Sequence, residues 1–247
     1  MDKIIDFLKI GYDEANEREN QKLIKWNDPE IIKANVAGSL LSINEQKSWY
    51  YLFVEKDVVK AKQCFYLYGK IMEYLCNNDG VDISPGMAQD GTYTLLSDSK
   101  SLITSFANWQ YRHYDYFIKR GETKYIIQAI AVNDDTRALN LLDTFFKKHK
   151  KYGFNDADGG ILRAILDNDK AKVEEHIHFL LLPKNHKKRN GIYPLRRDLL
   201  SFPALGFAKL AWLRGIEVDI DHPLLPKELL PIHPNEEYFD TYDFLKE

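Results

Sequence analysis

Residues 58–76 read VVKAKQCFYLYGKIMEYLC, and the spacing of their apolar side chains decides the fold class. The apolar positions that recur at intervals of three and four are Val58, Ala61, Phe65, Tyr68, Met72 and Leu75. That interval places side chains on one face of an α-helix, whereas a half-buried strand alternates at every second residue. The polar run from Asn77 to Gly80 ends the period. We therefore predict a helix over about 58–76 that buries this face.

The same period continues in both directions along the chain. Apolar stripes at helical spacing lie within residues 32–54, 98–121, 135–151, 161–166, 173–182 and 199–213. Residues 125–132 form a short apolar segment, and runs with strand-like alternation are rare. The sequence predicts an all-α fold, an irregular helical bundle or array of about nine to ten helices.

Local signals predict three details of the connections. Asp28-Pro29-Glu30 combines a cap residue, a first-turn proline and a first-turn acid, which favours a helix start there. Ser42 with Glu45 matches a capping box, which would divide the stretch that follows into two helices. Residues 80–99 are rich in Gly, Pro and Asp and predict a loop of about 20 residues, with a short hairpin around Asp90-Gly91 as the alternative.

The length of 247 residues allows one large domain or two small ones. No internal repeat of about 33–47 residues recurs, so a regular solenoid is not expected. We predict a single domain over residues 1–247, with an N-terminal subdomain (1–97) and a C-terminal subdomain (98–247) as its possible division.

The longest apolar stretches, 49–54 and 179–183, fall far short of the roughly 20 residues that span a bilayer. The N-terminal residues contain no uninterrupted apolar run of the kind a secretion signal needs. We expect a cytoplasmic protein without a membrane partner. Cys64 and Cys76 lie over three turns apart on the 58–76 helix, too far for a disulfide, and are expected to be buried thiols.

The net charge of −3 hides an asymmetry along the chain. Residues 145–197 contain 13 Lys and Arg against 6 Asp and Glu, a net charge of +7. Residues 216–247 contain 9 acids against 2 bases, a net charge of −7. The two blocks either neutralise each other in the fold or one of them faces a charged partner.

The chain contains no Gly-rich phosphate loop, no Gly-x-Ser-x-Gly and no His-Glu-x-x-His motif. His113, flanked by Arg112, Tyr114 and Asp115, is the best candidate for acid–base chemistry. Its position on the apolar stripe of 98–121 favours instead a hydrogen-bonded histidine of the core, whose removal would destabilise the protein. We expect no catalytic residue and no cofactor.

Three polar clusters contain residue types that bind metal ions or phosphates, but local structure alone explains each of them better. His176 and His178 point about 200° apart on a helix, so they do not share a metal ion, and no metal site is expected. Residues 155–160 contain Asp156 and Asp158, but Gly160 replaces the third ligand of a calcium loop and Asp167 stands in place of its final Glu, so the run predicts a turn and helix cap. The basic run 184–189 predicts a solvated loop, and the pI of 6.2 argues against nucleic acid as a partner.

Residues 236–244 read EEYFDTYDF and alternate acids with aromatic side chains. Aromatic residues anchor interfaces, and acids steer a basic partner. The residues expected to contact a protein partner are Glu236, Glu237, Tyr238, Asp240, Tyr242 and Asp243. The alternatives are that Phe239, Tyr242 or Phe244 pin the chain end to the core, or that the acids fold back on the basic block.

The C-terminal third resembles a known family. Residues 161–181 read ILRAILDNDKAKVEEHIHFLL, and residues 199–230 read LLSFPALGFAKLAWLRGIEVDIDHPLLPKELL. A short helix with an Asn168-Asp169 turn, an apolar helix closed by Arg-Gly-Ile at 214–216, and a Pro-x-x-Leu-Leu ending at 226–230 are similar to the immunity protein 49 family of bacterial polymorphic toxin systems. The matched positions look structural, so no functional residues are transferred.

The resemblance implies a protein that binds and neutralises a cognate toxin domain without catalysis, and a nuclease is one candidate for that toxin. A nuclease cleft is basic and would suit an acidic inhibitor surface. Two other classes remain open at this stage. One is a helical adaptor or regulator that binds another protein, and the other is an enzyme with a cryptic site in the helical bundle.

Overall fold

The computed structural model describes residues 2–81, 90–110, 113–148, 155–190 and 194–246. Across these ranges it contains 13 α-helices and no strand, which confirms the all-α prediction. The helices are α1 (Asp2–Trp26), α2 (Lys33–Tyr50), α3 (Val58–Asp79), α4 (Asp90–Leu96), α5 (Lys100–Phe106), α6 (Tyr114–Arg120), α7 (Thr123–Ala131), α8 (Asp135–Lys148), α9 (Asn155–Leu166), α10 (Lys170–Leu181), α11 (Pro183–Asn190), α12 (Pro194–Leu199) and α13 (Phe202–Leu213). A π-helical turn (Tyr51–Glu55) continues α2, and 3-10 turns lie at Lys227–Leu229 and Asp243–Leu245.

Helices α1, α2 and α3 pack in chain order, with α2 between its two neighbours. The helix predicted at 58–76 is α3, and Asp57 caps its start by accepting the Lys60 N–H at 2.9 Å. The predicted division of α2 at Ser42 is wrong because the helix runs through that residue. Glu45, the expected cap partner, is buried instead and accepts a hydrogen bond from the Tyr93 hydroxyl.

The predicted helix start at Asp28-Pro29 is also wrong. Asp28 Oδ1 accepts the Glu30 N–H at 2.9 Å, and the Asp28 carbonyl accepts the Ile31 N–H at 3.2 Å. These bonds close a turn that reverses the chain between α1 and α2. Helix α2 therefore begins only at Lys33.

Helix α4 occupies part of the segment predicted to be a loop, so the loop and the hairpin at Asp90-Gly91 are both wrong there, and 82–89 lie outside the described residues. Residues 92–96 are completely buried, and α4 packs against α3 and α13. The Tyr93 ring stacks on Phe65 and meets Phe202 edge-on. A short helix enclosed on all sides shows no apolar stripe in its sequence, which is why the period did not reveal it.

The predicted helix over 98–121 is two helices, α5 and α6, and His113 is exposed at the start of α6. The expectation of a core histidine is therefore wrong. The Gln128 amide, from α7, donates to the carbonyls of Phe106 and Trp109 at 2.7 and 3.2 Å. A continuous helix would use those carbonyls for its own hydrogen bonds, so the chain leaves α5 at this point. Arg112 lies outside the described residues.

The C-terminal half consists of helix pairs around α13. Helix α7 packs on α8 and α9 on α10, while α13 contacts α4, α7 and α10. The basic run 184–189, predicted to be a solvated loop, lies in helix α11 instead. His186 in that helix is buried, with Nε2 2.8 Å from the Arg197 carbonyl, which gives α11 an inner face.

Both cysteines, Cys64 and Cys76, are buried, as predicted. In the described part of the chain, no helix has the length and apolar character needed to cross a membrane. The division at residue 97/98 stays a prediction, although α3 contacts both α4 and α5 across it.

Gly121 and Gly215 each have a left-handed backbone conformation just after the end of a helix. Because their surroundings differ, they provide a test of the packing. A Cβ at Gly121 (φ 66°) would lie 2.5 Å from the Phe145 nitrogen, in the backbone of α8, whereas one at Gly215 (φ 77°) meets nothing within 4 Å. Gly215→Ala should cost about 1–2 kcal/mol from backbone conformation alone. Gly121→Ala should cost clearly more, measured by urea unfolding, because α6 and α8 must also separate. Equal losses would contradict this packing.

Candidate functional site

The C-terminal segment, residues 231–246, has little regular structure and crosses the surface of α1–α3. It contains all six residues predicted to contact a partner. Side chains of the helices hold it at successive points, and its course depends first on a group of buried charges.

Lys62 of α3, Asp98 and Lys209 of α13 form a buried charge triad at the start of this segment. Lys62 Nζ and Lys209 Nζ each lie 2.6 Å from an oxygen of the Asp98 carboxylate. The three side chains are at most 3% exposed. Asp98 lies two residues beyond the end of α4 and has φ 58°, a left-handed conformation that Asp adopts more readily than most residues.

Two ammonium groups around one carboxylate leave an excess positive charge. Backbone carbonyls of residues 229–231 and 233 surround this charge. Lys209 Nζ donates to the carbonyls of residues 229–231 at 2.8–3.1 Å, and Lys62 Nζ donates to the His233 carbonyl at 2.7 Å. The His233 N–H in turn donates to Asp98 Oδ2 at 3.2 Å. Burial lowers the pKa of Lys209 to about 8, with Asp98 opposing this effect and Lys62 adding to it.

Tyr238 and Asp240 attach the middle of the segment to Ser97, just after α4, and to α3. The Tyr238 hydroxyl donates to the Ser97 carbonyl and accepts the Asn235 N–H at 3.0 Å. Asp240 Oδ1 accepts the Tyr66 hydroxyl at 2.9 Å. Burial raises the pKa of both Tyr66 and Tyr238, so the two hydroxyls remain donors at neutral pH.

Tyr242 attaches the end of the segment to α1 and α2. Its ring is buried, and its hydroxyl donates to Glu19 Oε1 at 2.5 Å and accepts from Asn44 Nδ2 at 2.8 Å. Burial, followed by the charge of Glu19, raises the pKa of this hydroxyl. Phe244 stacks on Trp26 with ring centroids 4.0 Å apart. Tyr242 and Phe244 therefore pin the chain end.

The exposed members of the predicted set are Glu236, Glu237 and Asp243, of which Asp243 pairs with Lys246 at 2.7 Å. Phe239 does not pin the chain, since its side chain is 59% exposed. Among the described residues, the hydrogen bonds and ring contacts of the segment are with α1–α3, residues 97–98 and Lys209 of α13. The fold-back of the acids on the basic block stays a prediction.

Among the described residues, no group of three or more His, Cys, Asp or Glu lies close enough to hold a metal ion. The 155–160 run forms the first turns of α9, where Asp158 receives two hydrogen bonds from Arg189 at 2.8 and 3.0 Å. That ion pair joins α9 to α11.

Residues 94–229, more than half of the chain, match the family model of Immunity protein 49. The chain belongs to the Immunity protein 49 family. The match confirms the resemblance seen at 161–230 and extends it back to α4. Comparison with curated proteins and with solved structures gives no match.

Membership of this family indicates an immunity role, the neutralisation of a toxin, and implies a toxin as the partner. Immunity proteins of this family are generally non-catalytic. Asp98 and Lys209 lie inside the matched region, whereas Lys62 and the C-terminal segment lie outside it. The buried triad therefore joins the family region to the flanking parts of the chain.

The sequence interpretation missed the triad, although one signal pointed to it. Lys209 is the only charged residue in the otherwise apolar helix FPALGFAKLAWL. A charge in such surroundings is buried only with a partner. Asp98 and Lys62 lie far away in sequence, so no local pattern identifies them as that partner.

Removing single charges from the triad should give losses of stability in a defined order. Asp98→Asn leaves two buried ammonium groups without a carboxylate and should cost about 3–5 kcal/mol. Lys62→Met leaves one ammonium opposite one carboxylate and should cost less, about 1–3 kcal/mol for the unpaired carbonyl. Lys60→Met, on the exposed side of α3, is the matched control and should leave stability almost unchanged. Urea unfolding measures all three, and a larger loss for Lys62→Met than for Asp98→Asn would contradict the charge argument.

Lys209 should also be recognisable by its titration. Carbon-13 NMR of labelled lysine side chains should show a resonance with a midpoint near pH 8, below the ordinary 10.5, and Lys209→Met should remove it. Between about pH 8 and pH 10.5, the Lys209 side chain keeps its proton in the unfolded chain but loses it in the folded chain. The contribution of Lys209 to the free energy of unfolding therefore rises with pH across that window. If every lysine resonance has an ordinary midpoint, Asp98 fully offsets the effect of burial on the pKa of Lys209.

Proposed function

We propose that this chain is an immunity protein that neutralises a cognate bacterial toxin by binding its toxic domain in the cytoplasm, without catalysis. The observation that carries the proposal is the family match over 94–229. Neutralisation by binding requires only a stable complementary surface, on the order of 1,200–2,000 Å² for a complex of standard size. The helical array and its buried triad provide a rigid support for such a surface.

The toxin-facing surface that we propose includes the acidic C-terminal segment. Glu236, Glu237 and Asp243 are exposed and available for contact. Tyr238, Asp240 and Tyr242 contribute by holding the segment in place, since their polar atoms are already bonded within the chain. These acids favour a toxin with a basic surface, such as the active-site cleft of a nuclease.

The direct test is growth protection. The toxin domain encoded directly upstream of this gene is expressed in a bacterial host with and without this chain, and we expect growth only when both are present. An unrelated helical immunity protein serves as the control. Failure to protect, or the lack of a neighbouring toxin gene, would contradict the proposal and favour an adaptor that binds another protein.

Titration separates binding from catalysis. Increasing amounts of this chain are added to a fixed amount of purified toxin, and residual toxin activity is measured. Inhibition should be complete at an equimolar ratio, because each chain occupies one toxin molecule. Complete inhibition at a small fraction of that ratio would mean turnover and would contradict the non-catalytic role.

A further inference from the structure

A groove of about 540 Å³ lies between the first turn of α3 and the C-terminal segment. Val58, Val59 and Lys62, whose charge is paired with Asp98, line it on the helix side, and residues 233–237 with Phe239 line it on the other. Val59 is 63% exposed and Phe239 is 59% exposed, so two large apolar side chains face solvent beside the acids Glu236 and Glu237. Scattered exposed apolar residues are common, but a groove with an acidic edge is a distinct surface.

The backbone that presents Phe239 is held firmly. The Gln63 side chain donates through Nε2 to the Phe239 carbonyl at 2.8 Å and accepts the Phe239 N–H on Oε1 at 3.1 Å. Asn235 Nδ2 donates to the Val59 carbonyl at 2.9 Å, which ties the opposite side of the groove to α3. The neighbours of Phe239 are fixed as well, by the contacts of Tyr238 and Asp240 described above.

This arrangement places an exposed aromatic side chain on an ordered backbone. A rigid aromatic residue loses little conformational entropy when a partner covers it, because the main chain is already ordered. Interface residues with the largest binding contributions are commonly aromatic and are surrounded by less important polar contacts. Phe239 satisfies both conditions, with Glu236 and Glu237 as the polar surroundings.

We infer that Phe239 and the Val59 groove form the central anchor of the toxin-binding surface, and that their occupant is a basic face of the toxin carrying an apolar pocket. The inference rests on the proposed function and assigns its contact site. Phe239 enters the apolar pocket of the toxin, an apolar side chain of the toxin fills the groove beside Val59, and Lys or Arg side chains pair with Glu236 and Glu237. Gln63 is a positioning residue that sets the direction of the Phe239 ring.

The test uses the full chain and an inactivated form of the toxin domain encoded directly upstream. Phe239→Ala should raise the dissociation constant by roughly 30-fold or more, mainly through faster dissociation. Phe179→Ala, which removes another exposed phenylalanine on α10, is the matched control and should change it less than about threefold. Both variants should melt at the wild-type temperature, since both rings are exposed. A Phe239→Ala affinity equal to that of wild type would overturn the inference while leaving the proposed function intact.

Two further variants test the acids and the backbone clamp. Glu236→Lys with Glu237→Lys should slow association at low salt, and the effect should fade as salt screens the charges. Glu175→Lys, an exposed acid on α10, is the control. Gln63→Ala should weaken binding although it removes no atom of Phe239. Gln63→Asn should weaken binding as well, because the shorter amide cannot reach both the carbonyl and the N–H of Phe239. Wild-type affinity in Gln63→Ala would exclude the positioning role.

Photo-crosslinking identifies directly which surface of this chain contacts the toxin domain. A photo-reactive benzophenone residue at position 239 should crosslink to the inactivated toxin domain, whereas the same residue at position 179 should not. If wild type fails to bind this domain at all, the proposed function fails. If wild type binds and position 179 crosslinks in preference to 239, only the assigned surface is wrong.

Discussion

The buried contact of Asp98 with Lys62 and Lys209 is the constraint on which the rest of the structure depends. Three charges are removed from water, and they are stable there only because each has ionic and hydrogen-bond partners within about 3 Å. The partners come from α3, α13, the end of α4 and the backbone of 229–233. These four parts must therefore meet in one arrangement, and the C-terminal segment leaves this point in a fixed direction.

The apolar period predicted the fold class and the longer helices because those helices each have one buried face. It failed where that condition does not hold. Helix α4 is enclosed on all sides and contains Gly91, so it looked like a loop, and α11 is short and basic with only His186 and Asn190 buried. The break between α5 and α6 depends on Gln128, a residue of another helix, and no local pattern could reveal it.

The composition of the C-terminal segment indicated an interaction surface, but its sequence could not separate supporting residues from exposed ones. Acids and aromatics alternate, yet the structure does not divide them by type. Tyr242 and Phe244 are buried while Phe239 is exposed, and Asp240 is bonded to Tyr66 while Glu236 and Glu237 face solvent. The division follows from the path of an irregular chain across helices, which has no fixed period.

The contact between Tyr242 and Glu19 joins residues 223 positions apart. A ribosome adds about 5–20 residues per second, so roughly 10–45 s pass between the synthesis of these two residues. During that time α1 and α2 lack the hydroxyl that Glu19 and Asn44 bind, and the ring of Trp26 lacks Phe244. The contacts that join α1 and α2 to Tyr242 and Phe244 therefore form only after residue 244 has been made.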